Sequence, residues 1–530
     1  MKSSEKIDLL DGNDIDVKSM VEENCAGFVY GDMTSVAVSE DGSKLAVAIQ
    51  AENYADTGRV ALFTCNADGT LTFDKVYETG VQPDMVTFAS NDSKILTADE
   101  GEPRDGYGDG IIDPKGTVTI INLADQTVSQ VDFTSYDNSD SREQLVESGV
   151  ILKKNTNPSV DFEPEYIAVG DKTAYVTLQE ANAIAVIDLN QQSLTGVYSA
   201  GYEDYSTCAV DIDKKDEAYK PAVYETLRGI RMPDGIATYH INGVDYIVTA
   251  NEGDSREWGE YLNEDERNFG KGETSPTGKI TAENSGLTGK VVFFDSSDYD
   301  GLDSEFDYLF GGRSFTVFKA DEQGLTEIYT SGNEFEAKTA GYEPEHFNCS
   351  NDNNDIDDRS GKKGVEAENV TIGNVGEKIY AFIGLERIGG VMMYDVTNPE
   401  KISYANYINS RDFSADIAGD DSPEGLCFIS ESESVDGNAH LLTACEVSGT
   451  VASYELTARK TEDQGNGQDS DNGQDSGEGQ NSNNGQDSGQ GAKSDAPKTG
   501  DMQKTAGLFT AIILTLTVVF GITKRRRYTL

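Results

Sequence analysis

Six times between residues 32 and 457 the chain repeats one plan: two short apolar strands joined by a turn, then a third apolar strand. The first two strands read TSVAVS with KLAVAIQ, PDMVTFAS with KILTADE, PEYIAVG with AYVTLQE, PDGIATYHI with DYIVTANE, AENVTIG with IYAFIGLE, and PEGLCFIS with HLLTACE. The third strands read GRVALFTC, GTVTIINL, NAIAVIDL, RSFTVFKA, GGVMMYDV and GTVASYEL. A fourth follows the first five, as in LTFDKVYETG and LTEIYTSG. Short runs rich in Val, Ile, Thr and aromatics, bounded by turn residues, are strands. Four-stranded units recurring every roughly 45–80 residues define an all-β chain built as a β-propeller. It has six recognisable four-stranded blades. A β-sandwich is the competing fold, and it gives no reason for an acid to return at two fixed places in each unit. The sixth unit shows no fourth strand before residue 458. Propellers commonly draw that strand from the other terminus, and residues 1–31 offer KIDLL and AGFVYG.

The two recurring acids sit at the start of the first strand and the end of the second. In an antiparallel hairpin these positions lie side by side. Asp84 should therefore sit by Glu100, Glu165 by Glu180, Asp234 by Glu252, Glu368 by Glu386, and Glu424 by Glu446. First strands line a propeller's channel, so all five pairs are expected around one mouth. Only the first unit departs, with Thr34 and Gln50 and with Glu52 close by. Buried carboxylates in such a ring must take up protons or share cations, and hard oxygen ligands suit Ca²⁺ first, or Mg²⁺ or Mn²⁺. The alternative is that each acid accepts backbone N–H bonds and caps its own blade.

Arg104, Arg256 and Arg387 follow the acids onto the same rim, and Arg359 closes the Asp/Asn-rich stretch FNCSNDNNDIDDRSGKKGVEAE. Arginine forks beside metal ions would suit a phosphate ester, whereas ion pairing to the acidic ring is the other role open to them. The Asp/Asn-rich stretch has the composition of a Ca²⁺ loop without the Gly and Glu positions of an EF-hand. No catalytic nucleophile stands out: there is no GxSxG elbow, and His240, His346 and His440 are scattered. No phosphate-binding P-loop or dinucleotide GxGxxG occurs in a βαβ setting. Hydrolysis would then fall to metal-activated water acting on a phosphate monoester or diester. The six cysteines form no CxxC, which argues against zinc and for free thiols. A formal charge of −53, from 95 acidic and 42 basic residues, repels nucleic acid.

The ends of the chain point outside the cell. Residues 1–31 read as the remnant of an upstream blade or as a closing strand, with no apolar signal-peptide region. Residues 458–495 repeat GQDS three times and almost lack aliphatic and aromatic residues, the composition of a disordered acidic linker. Residues 496–530 carry Ala496-Pro497-Lys498-Thr499-Gly500, an apolar run over 506–522, and a basic tail. That run is about the minimum length of a transmembrane helix, with its basic end held inside. The order resembles a Gram-positive cell-wall sorting signal of the LPxTG type. The resemblance implies a transient single-pass membrane precursor, cut by sortase between Thr499 and Gly500 and joined to peptidoglycan. An export signal is then expected upstream of residue 1.

The runs GVQPDMVTF…TADEGEP, MPDGIAT…TANEGDSREW, FNCSNDNND…RS, GLERIGGVMMYDVTNP and SPEGLCFIS…EVSGTV resemble the choice-of-anchor I family. The family comprises secreted or surface propellers often labelled alkaline phosphatase-like. Members usually carry one more blade upstream of Met33, which implies seven blades in the intact protein. Where the family often reads RSDDKGPEPE, this chain has RSGKKGVEAE, losing two acids at Gly361 and Lys362. Cys445 stands where Asn is common. Two functions remain open: a wall-anchored, metal-dependent phosphoesterase, or a non-catalytic surface propeller stabilised by Ca²⁺ that binds a glycan, mineral or protein.

Overall fold

The run Leu45–Ile49 is buried on every residue, as a strand must be when both faces of its sheet are covered. The computed structural model describes residues 2–3, 15–321 and 324–457. The linker 458–495, Thr499, Gly500 and the apolar run 506–522 lie outside the described residues. Six four-stranded antiparallel sheets follow one another along the chain, each in the order first, second, third, fourth strand. Blade 1 spans Tyr30–Val81, blade 2 Pro83–Asp132, blade 3 Pro164–Ser199, blade 4 Ile236–Thr330, blade 5 Ala367–Ile408 and blade 6 Pro423–Leu456.

Five apolar cores sit between consecutive blades. Ala46, Ala48 and Val60 of blade 1 meet Val86, Ile95 and Ile121 of blade 2. Leu96, Val118 and Ile120 then meet Val176, Leu178 and Ala185 of blade 3. Tyr175 and Ile184 meet Ile247 and Phe318 of blade 4, and Val248 and Phe315 meet Ile383 and Met392 of blade 5. Phe382 and Val391 meet Leu441 and Tyr454 of blade 6. Burying each such aliphatic side chain contributes about 1.5–3 kcal/mol, so face-to-face stacking of blades holds the β-propeller together. On the remaining face of blade 1, the helix Val17–Asn24 buries Val21 against Leu45, Val47 and Ile49. Asp16 caps that helix by accepting the Ser19 N–H at 3.0 Å.

The fourth strand of blade 6 does come from the N-terminus, but not from the expected segments. Lys2–Ser3 pairs with Tyr454 and Glu455. AGFVYG instead leads into the first strand of blade 1, and KIDLL lies outside the described residues. Blade 4 is interrupted between its second and third strands by residues 252–313, whose strands pair partly with one another and partly with Leu152–Lys153 and Leu227–Ile230. There Glu264–Asn268 pairs with Lys290–Phe294, and Asp307–Phe310 runs parallel to Leu227–Ile230. All six cysteines are free. Among the described residues no helix is long and apolar enough to cross a membrane.

Candidate functional site

Each blade from the second to the sixth begins with a backbone irregularity at its acid. Pro83 faces Asp99 and Met85 faces Ala98, leaving Asp84 as an extra residue, and Glu424 is left over in the same way between Pro423 and Gly425. The register also slips at Glu165 and at Glu368. In blade 4 the Asp234 N–H donates to the Ala250 carbonyl while the Ala250 N–H donates to that of Gly235, two residues against one. A bulge re-aims a side chain relative to the sheet, so the sequence places an acid where the backbone can turn it toward the acids of a neighbouring blade. Two residues earlier, Gln82, Met232, Glu366 and Ser422 have φ of 54°, 45°, 50° and 63°. Residues other than glycine rarely adopt this left-handed conformation. Here it is held by the end of the second strand: Glu100, Gly253, Glu386 and Glu446 donate their N–H groups to those four carbonyls. In blades 2, 5 and 6 the donor is the second acid of the hairpin itself, and in blade 4 it is the residue after that acid.

The outcome is a set of carboxylate clusters that join neighbouring blades. Asp84 and Glu100 of blade 2 meet Glu165 of blade 3, and Asp234 and Glu252 of blade 4 meet Glu368 of blade 5. Glu252 also meets Glu366 and Glu386. In each trio, one ligand atom per residue lies within 4.8 Å of the others. Burial, then the neighbouring acids, hold Glu165, Asp234 and Glu368 well above the usual carboxylate range. Burial pushes Glu180 up to about 7 against the pull of Arg256, and Glu252 up to about 7 against that of Lys363. Glu180 and Glu424 join no trio, although Glu180 acts on Glu165 and Glu424 on Glu368. Glu446 is half-buried and in none of these trios. Glu180 Oε2 and Glu368 Oε2 are buried without a hydrogen-bond partner among the described residues.

The four arginines are largely committed to carboxylates. Arg256 is fully buried, 2.6 Å from Asp161 and 3.6 Å from Glu163, and does not reach the rim where the sequence placed it. Arg359 and Arg387 both clamp Glu366, at 3.0 Å and 2.8 Å, and Arg387 also lies 3.3 Å from Glu386. Their charges hold the Glu366 carboxyl well below its ordinary range although burial opposes them. Arg104 is the exception, with a third of its side chain exposed. It pairs with Glu102 at 3.0 Å, lies 4.0 Å from Glu100, and donates to Gln50 Oε1 at 2.9 Å. Blade 1, which lacks the acids, thus supplies Gln50 to hold Arg104 and Thr34 to bond the Pro83 carbonyl at 2.6 Å.

Sequence reasoning missed Glu163, Glu366 and Lys363. The signal for the two acids was the doublet Glu-x-Glu: Glu163-Pro164-Glu165 and Glu366-Ala367-Glu368, in which the first acid takes an arginine and the second joins a carboxylate trio with the preceding blade. The Gly361 carbonyl accepts the Val292 N–H in the insertion, and a Cβ there would lie 2.2 Å from the Lys290 carbonyl oxygen. In the Asp/Asn-rich stretch, Asp358 is paired with Lys214 at 3.0 Å, while Asp357 gathers with Asp211 and Asp216. Both oxygens of Asp357 accept bonds, from the Ala218 N–H and the Ser360 hydroxyl. His240 pairs with Asp245, His440 with Asp436, and His346 stacks on Phe413.

A family model described as the choice-of-anchor I domain matches residues 2–399. The mesenchyme-specific cell surface glycoprotein of Strongylocentrotus purpuratus is 27% identical over 315 residues, 51% of this chain and 40% of its own length. Gigasin-3a of Magallana gigas is 34% identical over 92 residues, 16% of this chain and 32% of its own. The chain spans less than half the length of these curated relatives. Among solved structures, the β-propeller domain of Myceliophteria thermophila Cps50 aligns with a TM-score of 0.37 and 8% identity, over 80% of this chain and 84% of that one.

Proposed function

Because the chain belongs to the choice-of-anchor I domain family, we propose that it is a surface-held β-propeller that binds a divalent cation between blades 4 and 5. The family implies a surface or extracellular protein. One observation carries the cation: Asp234, Glu252 and Glu368 converge within 4.8 Å, and Glu368 Oε2 is buried with no hydrogen-bond donor among the described residues. Leaving a buried carboxylate oxygen unmatched is costly, and a cation supplies what it lacks. Three hard oxygen donors suit Ca²⁺ best, with Mg²⁺ and Mn²⁺ as alternatives. The Asp84, Glu100 and Glu165 trio is a second place of the same kind. In this reading the cation stiffens the ring by tying adjacent blades, and the propeller presents a binding face to a glycan, mineral or protein.

The reading is tested on the full chain by equilibrium dialysis against Ca²⁺ and Mn²⁺, comparing wild type with Glu368→Gln. Bound metal that falls in the variant is expected. Metal-free protein at millimolar Ca²⁺ and Mn²⁺ would sink the proposal.

Arg104 supports a second reading, a metal-dependent phosphoesterase, because it alone among the four arginines combines a third of exposed surface with a place beside an acid trio. The commitment of Arg256, Arg359 and Arg387 to carboxylates favours the non-catalytic reading. Assays with p-nitrophenyl phosphate and its diester decide between them. Turnover abolished by chelator and weakened in Arg104→Ala would establish the enzyme, and no turnover with any divalent metal would remove it.

Anchoring rests on APKTG, the apolar run 506–522 and the basic tail together. We take Thr499 as the residue a sortase joins to peptidoglycan in a Gram-positive wall. Release of a C-terminal fragment beginning at Gly500 on sortase treatment is the expected result, and no cleavage in the presence of several sortase classes would refute it.

A further inference from the structure

Glu252, Glu366 and Glu386 form a three-carboxylate cluster that shares Glu252 with the Asp234–Glu252–Glu368 trio. The two differ in what meets the carboxylates. Lys363 Nζ lies 3.0 Å from Glu252 Oε1, 3.1 Å from Glu366 Oε2 and 3.1 Å from Asp254 Oδ1. The ammonium donates hydrogen bonds to Glu252 and Asp254 and forms an ion pair with Glu366. Arg387 adds charge at Glu366 and Glu386, and the Asn351 amide donates to Glu386 Oε1 at 3.0 Å. Gly364, at φ +68°, turns the backbone so that Lys363 and Glu366 face one another three residues apart. The lysine side chain is 14% exposed, and its head is held between the blade-4 acids and the blade-5 entry. On the other side of Glu252, among the described residues, no lysine or arginine pairs with Asp234 or Glu368, and Glu368 Oε2 has no donor.

We infer that Lys363 is the resident cation of the Glu252–Glu366–Glu386 cluster, seated where a divalent ion would otherwise bind, so that the carboxylates around Glu252 hold one metal ion and one ammonium rather than two metal ions. This rests on the cation-binding reading of the neighbouring trio. A tethered ammonium cannot be diluted or chelated, so with Arg387 it keeps part of the charge balance of the blade 4 to blade 5 junction even when metal is scarce. Glu252 bridges the two halves: one oxygen meets Lys363, and the other accepts from Gln179 at 2.9 Å. Each oxygen retains a lone pair for a metal in the adjacent trio.

The test counts bound Mn²⁺ on the full chain by equilibrium dialysis in four forms: wild type, Lys363→Met, Glu368→Gln, and Lys363→Met with Glu386→Gln. Lys363→Met should bind one equivalent more than wild type, and the double variant should lose that gain. An unchanged count in Lys363→Met overturns the inference while leaving the cation-binding reading intact. An unchanged count in Glu368→Gln overturns that reading instead, and the comparison of Lys363→Met with wild type still judges the lysine. Where Lys363→Met is unfolded in chelator, the readout becomes its melting temperature. A rise with millimolar Mn²⁺ larger than that of wild type is expected, and no recovery counts against the proposal.

Discussion

At the scale of single residues, the proposed cation binding requires the clustered acids to trade stability of the metal-free protein for affinity. Glu368 shows this most directly, because its carboxyl is buried, surrounded by Glu252, Glu386, Glu424 and Asp234, and has one oxygen without a donor. Glu368→Gln keeps the shape and removes the charge. It should weaken divalent binding by at least about 10-fold, the scale of lesser changes around metal sites, while raising the melting temperature in chelator. A variant that loses stability in chelator would mean the carboxylate serves packing alone. Asp99 poses a different question one residue before Glu100. It is fully buried and accepts the hydroxyls of Thr97, Thr117 and Thr119 at 2.7, 2.9 and 2.6 Å. Burial pushes its pKa up to about 6 even so. The folded state then binds this proton more tightly than the unfolded chain, so its contribution is complete below about pH 4 and is lost as pH rises through about 6. Blade 4 has Asn251 at this place, accepting from Thr249 and donating to Ser314 and Thr316. Asp99→Asn should therefore fold normally and be more stable than wild type by about 2–3 kcal/mol at pH 7.5, with no difference near pH 4. Urea unfolding across that range checks it, and a pH-independent offset would show that Asp99 does not titrate there.

At the scale of elements, the carboxylate trio proposed as the cation site is made by the seam between blades rather than by any one sheet. Gly235 is where that seam is tightest: its N–H donates to the Glu368 carbonyl at 3.0 Å, and a Cβ would lie 2.7 Å from both that oxygen and the Asn369 Cα. Both obstacles are backbone, so Gly235→Ala must push the blade-5 entry away and carry Glu368 with it. Divalent affinity should fall about as far as in Glu368→Gln although no ligand is changed. Affinity at the wild-type value in a folded Gly235→Ala protein would place the site elsewhere. The strands of these blades were legible because largely buried apolar runs such as LAVAI and AIAVI carry a strong β signal, and the hairpin rule then placed Asp84 by Glu100 and Asp234 by Glu252. The partner from the next blade was not legible, since pairing within a hairpin says nothing about which blade edges converge. The closing strand Lys2–Ser3 escaped because it contributes backbone bonds and no apolar pattern. For the arginines the sequence left two roles open: spacing places Arg256 and Arg387 after the acids, and the fold pairs them with Asp161 and Glu366.

At the scale of the whole molecule, a formal charge of −53 means that any added salt should stabilise the fold to some degree by screening repulsion. A rise in melting temperature with CaCl₂ is therefore not by itself evidence for a bound ion. The two effects separate by concentration and by residue. Screening needs ionic strength, since the Debye length is still about 8 Å at 0.15 M, and it acts on every surface charge alike. A specific ion stabilises by RT ln(1 + [L]/Kd), about 2.7 kcal/mol at 100 times Kd, whatever the background salt. In 0.5 M KCl, Ca²⁺ at 1 mM should thus still raise the melting temperature of the wild-type chain, and the rise should disappear in Glu368→Gln. KCl alone should lift both proteins equally. Equal Ca²⁺ responses in the two proteins would mean that the acidic surface, and not the seam between blades 4 and 5, takes up the ion.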